Sequence, residues 1–226
     1  MACVPIPEER LTIDVPGAGS VSAAYTRPAT AFASLALFHG AGAGMDHPFM
    51  AGFARAIADE GVATMRCNFP YIEVGRRTPD RQPVAVATVR AAFEAALQRA
   101  SKGEPVWAGG KSFGGRMASM AVAEGLRAAG LVFLGYPMHA PGKPDRVRDE
   151  HLYGIESPML FLQGTKDPFA TAPALEPVIA KLSDTATYVA VEGGGHSLER
   201  SRKDDPREVA AGLAPLVARF MRERGA

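Results

Sequence analysis

Glu104-Pro-Val-Trp-Ala-Gly-Gly-Lys-Ser-Phe-Gly-Gly-Arg-Met-Ala-Ser-Met120 passes from an apolar run through a glycine-bracketed serine and straight on into helical periodicity. Val106 to Ala108 read as a short buried strand, and Met117, Met120 and Ala121 recur at helical spacing. Between them Gly110-Lys111-Ser112-Phe113-Gly114 fits G-x-S-x-G, a tight strand-to-helix turn in which side chains two positions either side of the serine collide with their surroundings. The turn lifts the Ser112 hydroxyl clear of a sheet. The helix beginning at Phe113 points its unpaired N–H groups at any oxyanion formed there. Ser112 is the expected nucleophile. A phosphate-binding loop competes for the same letters, since Gly110-Lys111-Ser112 resembles the end of G-x-x-x-x-G-K-[ST]; the opening glycine is missing, because position 105 is Pro105.

The strands and helices around this unit alternate. Leu11 to Val15 and Val21 to Tyr25 are short β-type runs joined by Pro16-Gly-Ala-Gly-Ser20, which suits an antiparallel pair at a sheet edge. Ser34 to Phe38, Val62 to Met65, Gly130 to Leu134, Pro158 to Leu162 and Thr187 to Val191 read as further strands. Helices are expected from about Pro48 to Glu60, Val84 to Ala100, Thr171 to Leu182 and Glu208 to Arg224. That alternation predicts an α/β fold, a mainly parallel sheet with helices on both faces. With 226 residues and 47% hydrophobic content, residues 1–226 suffice for a single domain.

The net charge of +1 supplies no field for nucleic acid or an anionic membrane. Cys3 and Cys67 are too few for a disulfide framework or a metal cluster. The N-terminus lacks the basic start and apolar core of a signal peptide, and no stretch approaches a membrane span. A cytoplasmic protein with no cofactor, no metal, no nucleic-acid partner and no membrane partner is expected. Its oligomeric state stays open.

Loops at the carboxyl ends of parallel strands gather in one crevice. Asp167 follows the run ending Phe161-Leu-Gln-Gly-Thr-Lys166, and His196 follows Glu192-Gly-Gly-Gly195 after the last strand. A serine hydroxyl needs an imidazole to take its proton, and the imidazole needs a carboxylate to fix its tautomer. His196 is the expected base and Asp167 the orienting acid, with Asp145, Asp149 and Asp184 as reserves for the acid and His139 and His151 for the base. Read alone, Asp167-Pro168 is a turn former and His196 a loop residue. His39-Gly-Ala-Gly-Ala-Gly44 ends another strand, and its glycines let backbone N–H groups approach a developing oxyanion. The amides of Ala41 and Phe113 are the expected donors, with His39 a structural member of the loop. A dinucleotide loop is disfavoured, since position 45 is Met45 rather than the third glycine. Arg66, Lys111 and Arg116 are candidates for attracting an anionic substrate, although Lys111 and Arg116 are equally open to solvation or to acidic partners.

The strand–G-x-S-x-G–helix unit, the His-Gly loop and the order Ser, Asp, His resemble the α/β-hydrolase fold over nearly the whole chain. His39-Gly-Ala-Gly-Ala-Gly44, Arg66-Cys-Asn-Phe-Pro-Tyr71, Gly109-Gly-Lys-Ser-Phe-Gly-Gly-Arg-Met117, Gly135-Tyr-Pro137 with Pro141-Gly-Lys-Pro144, and Gln163-Gly-Thr-Lys-Asp167 resemble a bacterial group of small predicted hydrolases. That group is similar to the testis-expressed protein 30 and to the hydrolase-like domain of a subunit of the NSL histone acetyltransferase complex. The resemblance implies the fold, and the complete Ser, Asp, His set favours a serine esterase or thioesterase acting on a small acyl substrate, with Tyr136, Arg66 and Lys111 as expected substrate contacts. The alternatives are a non-catalytic interaction module on the same fold and an acyltransferase. Dienelactone hydrolases are of similar size but carry a cysteine at the elbow, where this chain has Ser112. In many relatives a helical cap follows the strand after the nucleophile helix; here Gly135 to Ser157 is short and rich in proline and charge, so a loop with one brief helix near Arg146 to Leu152, leaving Ser112 in an open, shallow groove, is expected.

Overall fold

In the computed structural model, which describes residues 6–140, 142–182 and 184–225, eight strands form one sheet. In chain order the elements are β1 (Glu8–Val15), β2 (Gly19–Thr26), β3 (Ala33–Phe38), α1 (Pro48–Asp59), β4 (Val62–Cys67), α2 (Pro70–Glu73), α3 (Gln82–Arg99), β5 (Val106–Lys111), α4 (Phe113–Ala123), β6 (Leu131–Leu134), β7 (Met159–Gly164), α5 (Ala172–Lys181), β8 (Ala186–Val191) and α6 (Pro206–Arg224). The strand order across the sheet is β1-β2-β4-β3-β5-β6-β7-β8. The β1–β2 and β2–β4 pairs are antiparallel and all others are parallel. The anticipated antiparallel hairpin therefore does sit at an edge, and Ser112, Asp167 and His196 lie past the carboxyl ends of parallel strands.

Strand periodicity explains the two cores. In β3, Ala36 and Phe38 face a core built with α3, α4 and α5, while Ala33, Leu35 and Leu37 face a second core built with α1 and α6. The same division splits Phe133 from Val132 and Leu134 in β6, and Phe161 from Leu160 and Leu162 in β7. A strand covered on both sides must be apolar at every position, which is why these runs are unbroken. The hairpin's apolar side chains Ile13, Val15, Val21, Ala23 and Tyr25 all join the first core, and in β1 they alternate with exposed residues. Helix α6 starts cleanly because Asp205 accepts from the Arg207 N–H (2.8 Å) and Pro206 follows it. Among the described residues no helix is long and apolar enough to cross a membrane.

The interval from Gly135 to Ser157 builds no helical cap. Of it, Pro141 lies outside the described residues, as do Cys3 and the N-terminal residues 1–5. One 3-10 turn, Glu150–Gly154, replaces the helix expected from Arg146. The reason is local: the Arg148 N–H donates to the Met138 carbonyl (2.8 Å) instead of continuing a helix, and the turn begins only after that tie is made.

The β5–α4 turn packs hard against β3. A Cβ placed on Gly110 would lie 2.1 Å from the Phe38 carbonyl oxygen, and one on Gly114 would lie 2.4 Å from the same atom. Gly110→Ala should therefore lower stability by at least about 3 kcal/mol or prevent folding, whereas Ser112→Ala, which keeps both glycines, should cost only about 1 kcal/mol. Urea denaturation of the two variants decides it, and equal midpoints would contradict this account of the turn.

Candidate active site

The turn gives Ser112 a backbone found at few non-glycine residues, φ 50° and ψ −114°, which is tolerated because the surrounding strands fix it. Ser112 N–H donates to the Leu134 carbonyl (3.3 Å), and its own carbonyl accepts the first α4 bond from Arg116 N–H (3.0 Å). The side chain is thereby left at the tip. Ser112 Oγ stands 2.7 Å from His196 Nε2, and His196 Nδ1 stands 2.8 Å from Asp167 Oδ2. These three residues come from the ends of β5, β7 and β8 and are separated by up to 84 positions in sequence. The Asp167 carboxylate is fully buried and is held by two further donors: the Gln163 amide on Oδ2 and the Phe169 N–H (2.8 Å) on Oδ1. An ionised carboxylate only accepts, so it selects the Nδ1–H tautomer and leaves the Nε2 lone pair facing Ser112. None of the reserve acids, Asp145, Asp149 and Asp184, and neither reserve base enters this chain; Asp149 accepts from the Tyr153 hydroxyl instead.

The second loop is built by His39 and the segment after β4. His39 is fully buried; its Nδ1 meets the Gly40 carbonyl (2.8 Å) and its Nε2 accepts from the Phe69 N–H (3.1 Å). Asn68 Oδ1 accepts from Met45 N–H (2.8 Å), and the Tyr71 hydroxyl accepts from Gly42 N–H (3.3 Å). The run Arg66-Cys-Asn-Phe-Pro-Tyr71 is thus the buttress of the His-Gly loop. The N–H groups of Ala41 and Phe113 donate to no protein acceptor among the described residues, and both residues line the cavity in front of Ser112. Burial pushes the His39 imidazole down to about 4, so it is neutral at physiological pH and keeps both bonds.

That cavity, of about 510 Å³, is lined by Ala41, His47, Met50, Lys111, Phe113, Arg116, Pro137, His139, Arg148 and Phe169 around Ser112 and His196. Pro137, His139 and Arg148 from the interval after β6 form one wall. They leave Ser112 partly exposed, so the site is open, but with this wall it is a pocket rather than the shallow groove expected. Two of the expected substrate contacts do not reach it. Arg66 is fully buried on the other side of the His-Gly loop, where it donates to the Met45 carbonyl and pairs with Glu8; a buried guanidinium needs such partners, and they hold it away from the pocket. Tyr136 is also fully buried, with its hydroxyl among Ser119 (3.2 Å), His151 (3.2 Å) and Arg116 (3.4 Å). Lys111 does line the cavity, yet its Nζ donates to the His196 carbonyl (3.2 Å) and lies 5.4 Å from the Phe49 ring centroid. Burial pushes Lys111 down to about 8, opposed by the charges of Glu199 and Asp167. Cys67, the other candidate nucleophile by type, is buried, and burial followed by the Glu73 charge raises its thiol to about 12.

Sequence reasoning missed Gln163 and Phe169. Gln163 accepts from Tyr136 N–H (2.8 Å) while donating to Asp167, and Phe169 packs edge-on against His196 with centroids 4.6 Å apart. A polar residue inside an otherwise apolar strand, Gln163 in β7, was the available signal; nothing in the letters marked Phe169.

Residues 31–221 match the family described as an alpha/beta hydrolase domain. Among solved structures, the chain is similar to XC6422 from Xanthomonas campestris, described as an α/β serine hydrolase without lid (TM-score 0.75, 21% identity, covering 100% of this chain and 99% of that one). It is also similar to a dienelactone hydrolase from Anabaena variabilis (TM-score 0.75, 17% identity, 98% and 99% covered). An α/β serine hydrolase homologue from Coxiella burnetii gives TM-score 0.70 and 19% identity over 94% and 97%. At such identities the likeness concerns the fold, which is the α/β-hydrolase fold.

His39 provides a pH test. Its native imidazole titrates near 4 against 6.5 in the unfolded chain, so between those values the unfolded state binds more protons and stability rises with pH. Stability should fall by about 3 kcal/mol from this group as pH drops from 6.5 to 4, with His151, also pushed by burial to about 4, adding to the loss. Urea midpoints across this range, with the His39 resonances followed by NMR, check it; a His39 titrating near its ordinary value contradicts the neutral-buttress account.

Proposed function

The chain belongs to the alpha/beta hydrolase domain family, and from that premise we propose that it is a serine hydrolase cleaving a carboxylic ester or thioester through an acyl-enzyme on Ser112. The observation that carries this reading is the unbroken contact chain from Asp167 through His196 to Ser112, with Ser112 Oγ opening onto a cavity. Such a chain has no packing purpose, since a strained serine and a buried carboxylate both cost stability.

The chemistry follows from the geometry. Ser112 Oγ attacks the acyl carbon as its proton passes to His196 Nε2, and the Nδ1–H bond to Asp167 stabilises the imidazolium. Charge moves to the carbonyl oxygen, where the Phe113 and Ala41 N–H groups meet it without reorganising. The imidazolium then gives its Nε2 proton to the departing alcohol or thiol. Water enters, is deprotonated by the same nitrogen, and attacks the acyl-enzyme, returning Ser112 and releasing the acid. Lys111 holds the carbonyl of His196, and Phe169 and Gln163 hold the ring and the carboxylate, so the base keeps one orientation through both half-reactions.

Ser112→Ala should abolish labelling of the purified protein by a fluorophosphonate probe while leaving its circular dichroism unchanged; persistent labelling would place the nucleophile elsewhere. Asp167→Asn and His196→Ala should each reduce p-nitrophenyl ester turnover by roughly 10³-fold or more, because members of such a chain act as a unit. Near-full activity in either variant is the contrary result.

A further inference from the structure

The cavity at Ser112 has an uneven charge lining. Lys111, Arg116 and Arg148 reach it together with His47 and His139, and among the described residues no carboxylate lines it. Lys111 is accounted for by the His196 carbonyl and by Glu199 and Asp167. The two arginines are not. Neither forms an ion pair among the described residues, although Arg10, Arg27, Arg66 and Arg76 do. Arg116 is held in place by donating to the Arg148 carbonyl (2.7 Å) and the Tyr136 hydroxyl (3.4 Å), which fixes its direction without neutralising its charge. Arg148 uses its side chain for no protein hydrogen bond among the described residues, and burial and the Arg116 charge both work against its ionised form.

Two like charges left in one wall are unfavourable unless something anionic joins them. Helix geometry puts that something near the chemistry: Arg116 lies one turn past Ser112, and side chains on a helix lean toward its N-terminus, here toward the elbow. A third group on the same wall also lacks a partner. His139 is 4% exposed; its Nδ1 meets the Ala140 carbonyl (3.0 Å), and its Nε2 is buried with no hydrogen-bond partner among the described residues. With Nδ1–H donating to that carbonyl, Nε2 presents a lone pair, which accepts from a substrate N–H or O–H and leaves the anion to the arginines.

We propose that Arg116 and Arg148 form an anion subsite, so that the substrate is an ester or thioester carrying a carboxylate or phosphate close to the scissile bond. Guanidinium groups suit both anions because each offers paired N–H donors to two oxygens. This assignment replaces Arg66, which its ion pair with Glu8 removes from the site, and it rests on the hydrolase reading only for its kinetic test.

Matched pairs measure it. Mono-p-nitrophenyl glutarate against p-nitrophenyl valerate reads a carboxylate, and p-nitrophenyl 4-phosphonobutyrate against p-nitrophenyl valerate reads a phosphate-like group at the same distance from the ester. In the wild-type protein the kcat/KM ratio of anionic to neutral partner should be roughly tenfold or more in at least one pair, Arg148→Gln should lower that ratio about tenfold, and Arg148→Glu should bring it below one. Arg148 is exposed and its side chain bonds nothing, so these variants should fold; thermal denaturation confirms it. A ratio near one for both pairs, or a ratio that Arg148→Glu leaves unchanged, overturns the subsite while the hydrolase reading stands on probe labelling. If no ester turns over and Ser112 is not labelled, the hydrolase reading fails instead, and calorimetric binding of glutarate and of inorganic phosphate decides the subsite alone. Binding of either anion that Arg148→Glu abolishes supports it, and binding of neither, or binding that the variant leaves intact, refutes it.

Discussion

The close approach of β5 and α4 to the Phe38 carbonyl governs the rest of the molecule. That oxygen occupies the space of two absent side chains, at Gly110 and Gly114, and so the chain can reverse from strand to helix within a single residue. Ser112 takes up the strain of the reversal, and the strain is what puts its hydroxyl outside the sheet. The same contact places the N-terminus of α4 against the end of β3, where the His-Gly loop begins. The outward Ser112 hydroxyl and the unpaired N–H groups beside it are therefore two results of one packing constraint, and neither can be adjusted without the other.

Around this centre the protein uses buried polar groups as fixtures. His39 stays neutral so that one nitrogen can donate to Gly40 while the other accepts from Phe69, which locks a glycine-rich loop that would otherwise sample many conformations. Arg66 joins Glu8 of the edge hairpin to the Met45 carbonyl, tying the far side of the same loop to the sheet. Gln163 spans Asp167 and the backbone of Tyr136. Each fixture sits one layer behind a group that faces the cavity, and removing any of them would leave a buried partner unsatisfied.

The electrostatics differ between these layers. Behind the cavity, charges are paired: Arg66 with Glu8, Arg27 with Glu104, Asp167 with three donors. At the cavity wall, Arg116 and Arg148 are left without counter-ions among the described residues. A chain with net charge +1 thus concentrates unpaired positive charge at one opening, although its overall composition gives no hint of an anionic ligand.

What the letters determined by themselves was mostly local. Unbroken apolar runs identified the strands covered on both faces, the turn-rich link Pro16 to Ser20 identified the hairpin, and glycines around Ser112 identified the turn, because each depends on residues within a few positions of one another. The α/β-hydrolase fold and the order Ser, Asp, His followed from those pieces. Tertiary structure alone decided which charged and aromatic side chains reach the cavity. Arg66 near the end of β4 and Tyr136 just past β6 sit where strands reach the crevice, yet both point inward to buried partners, while Arg148 and Phe169 arrive from loops with no periodicity to read. Side-chain direction at a loop is set by contacts with distant segments, Glu8 for Arg66 and His196 for Phe169, and such contacts exist only once the sheet has brought those segments together.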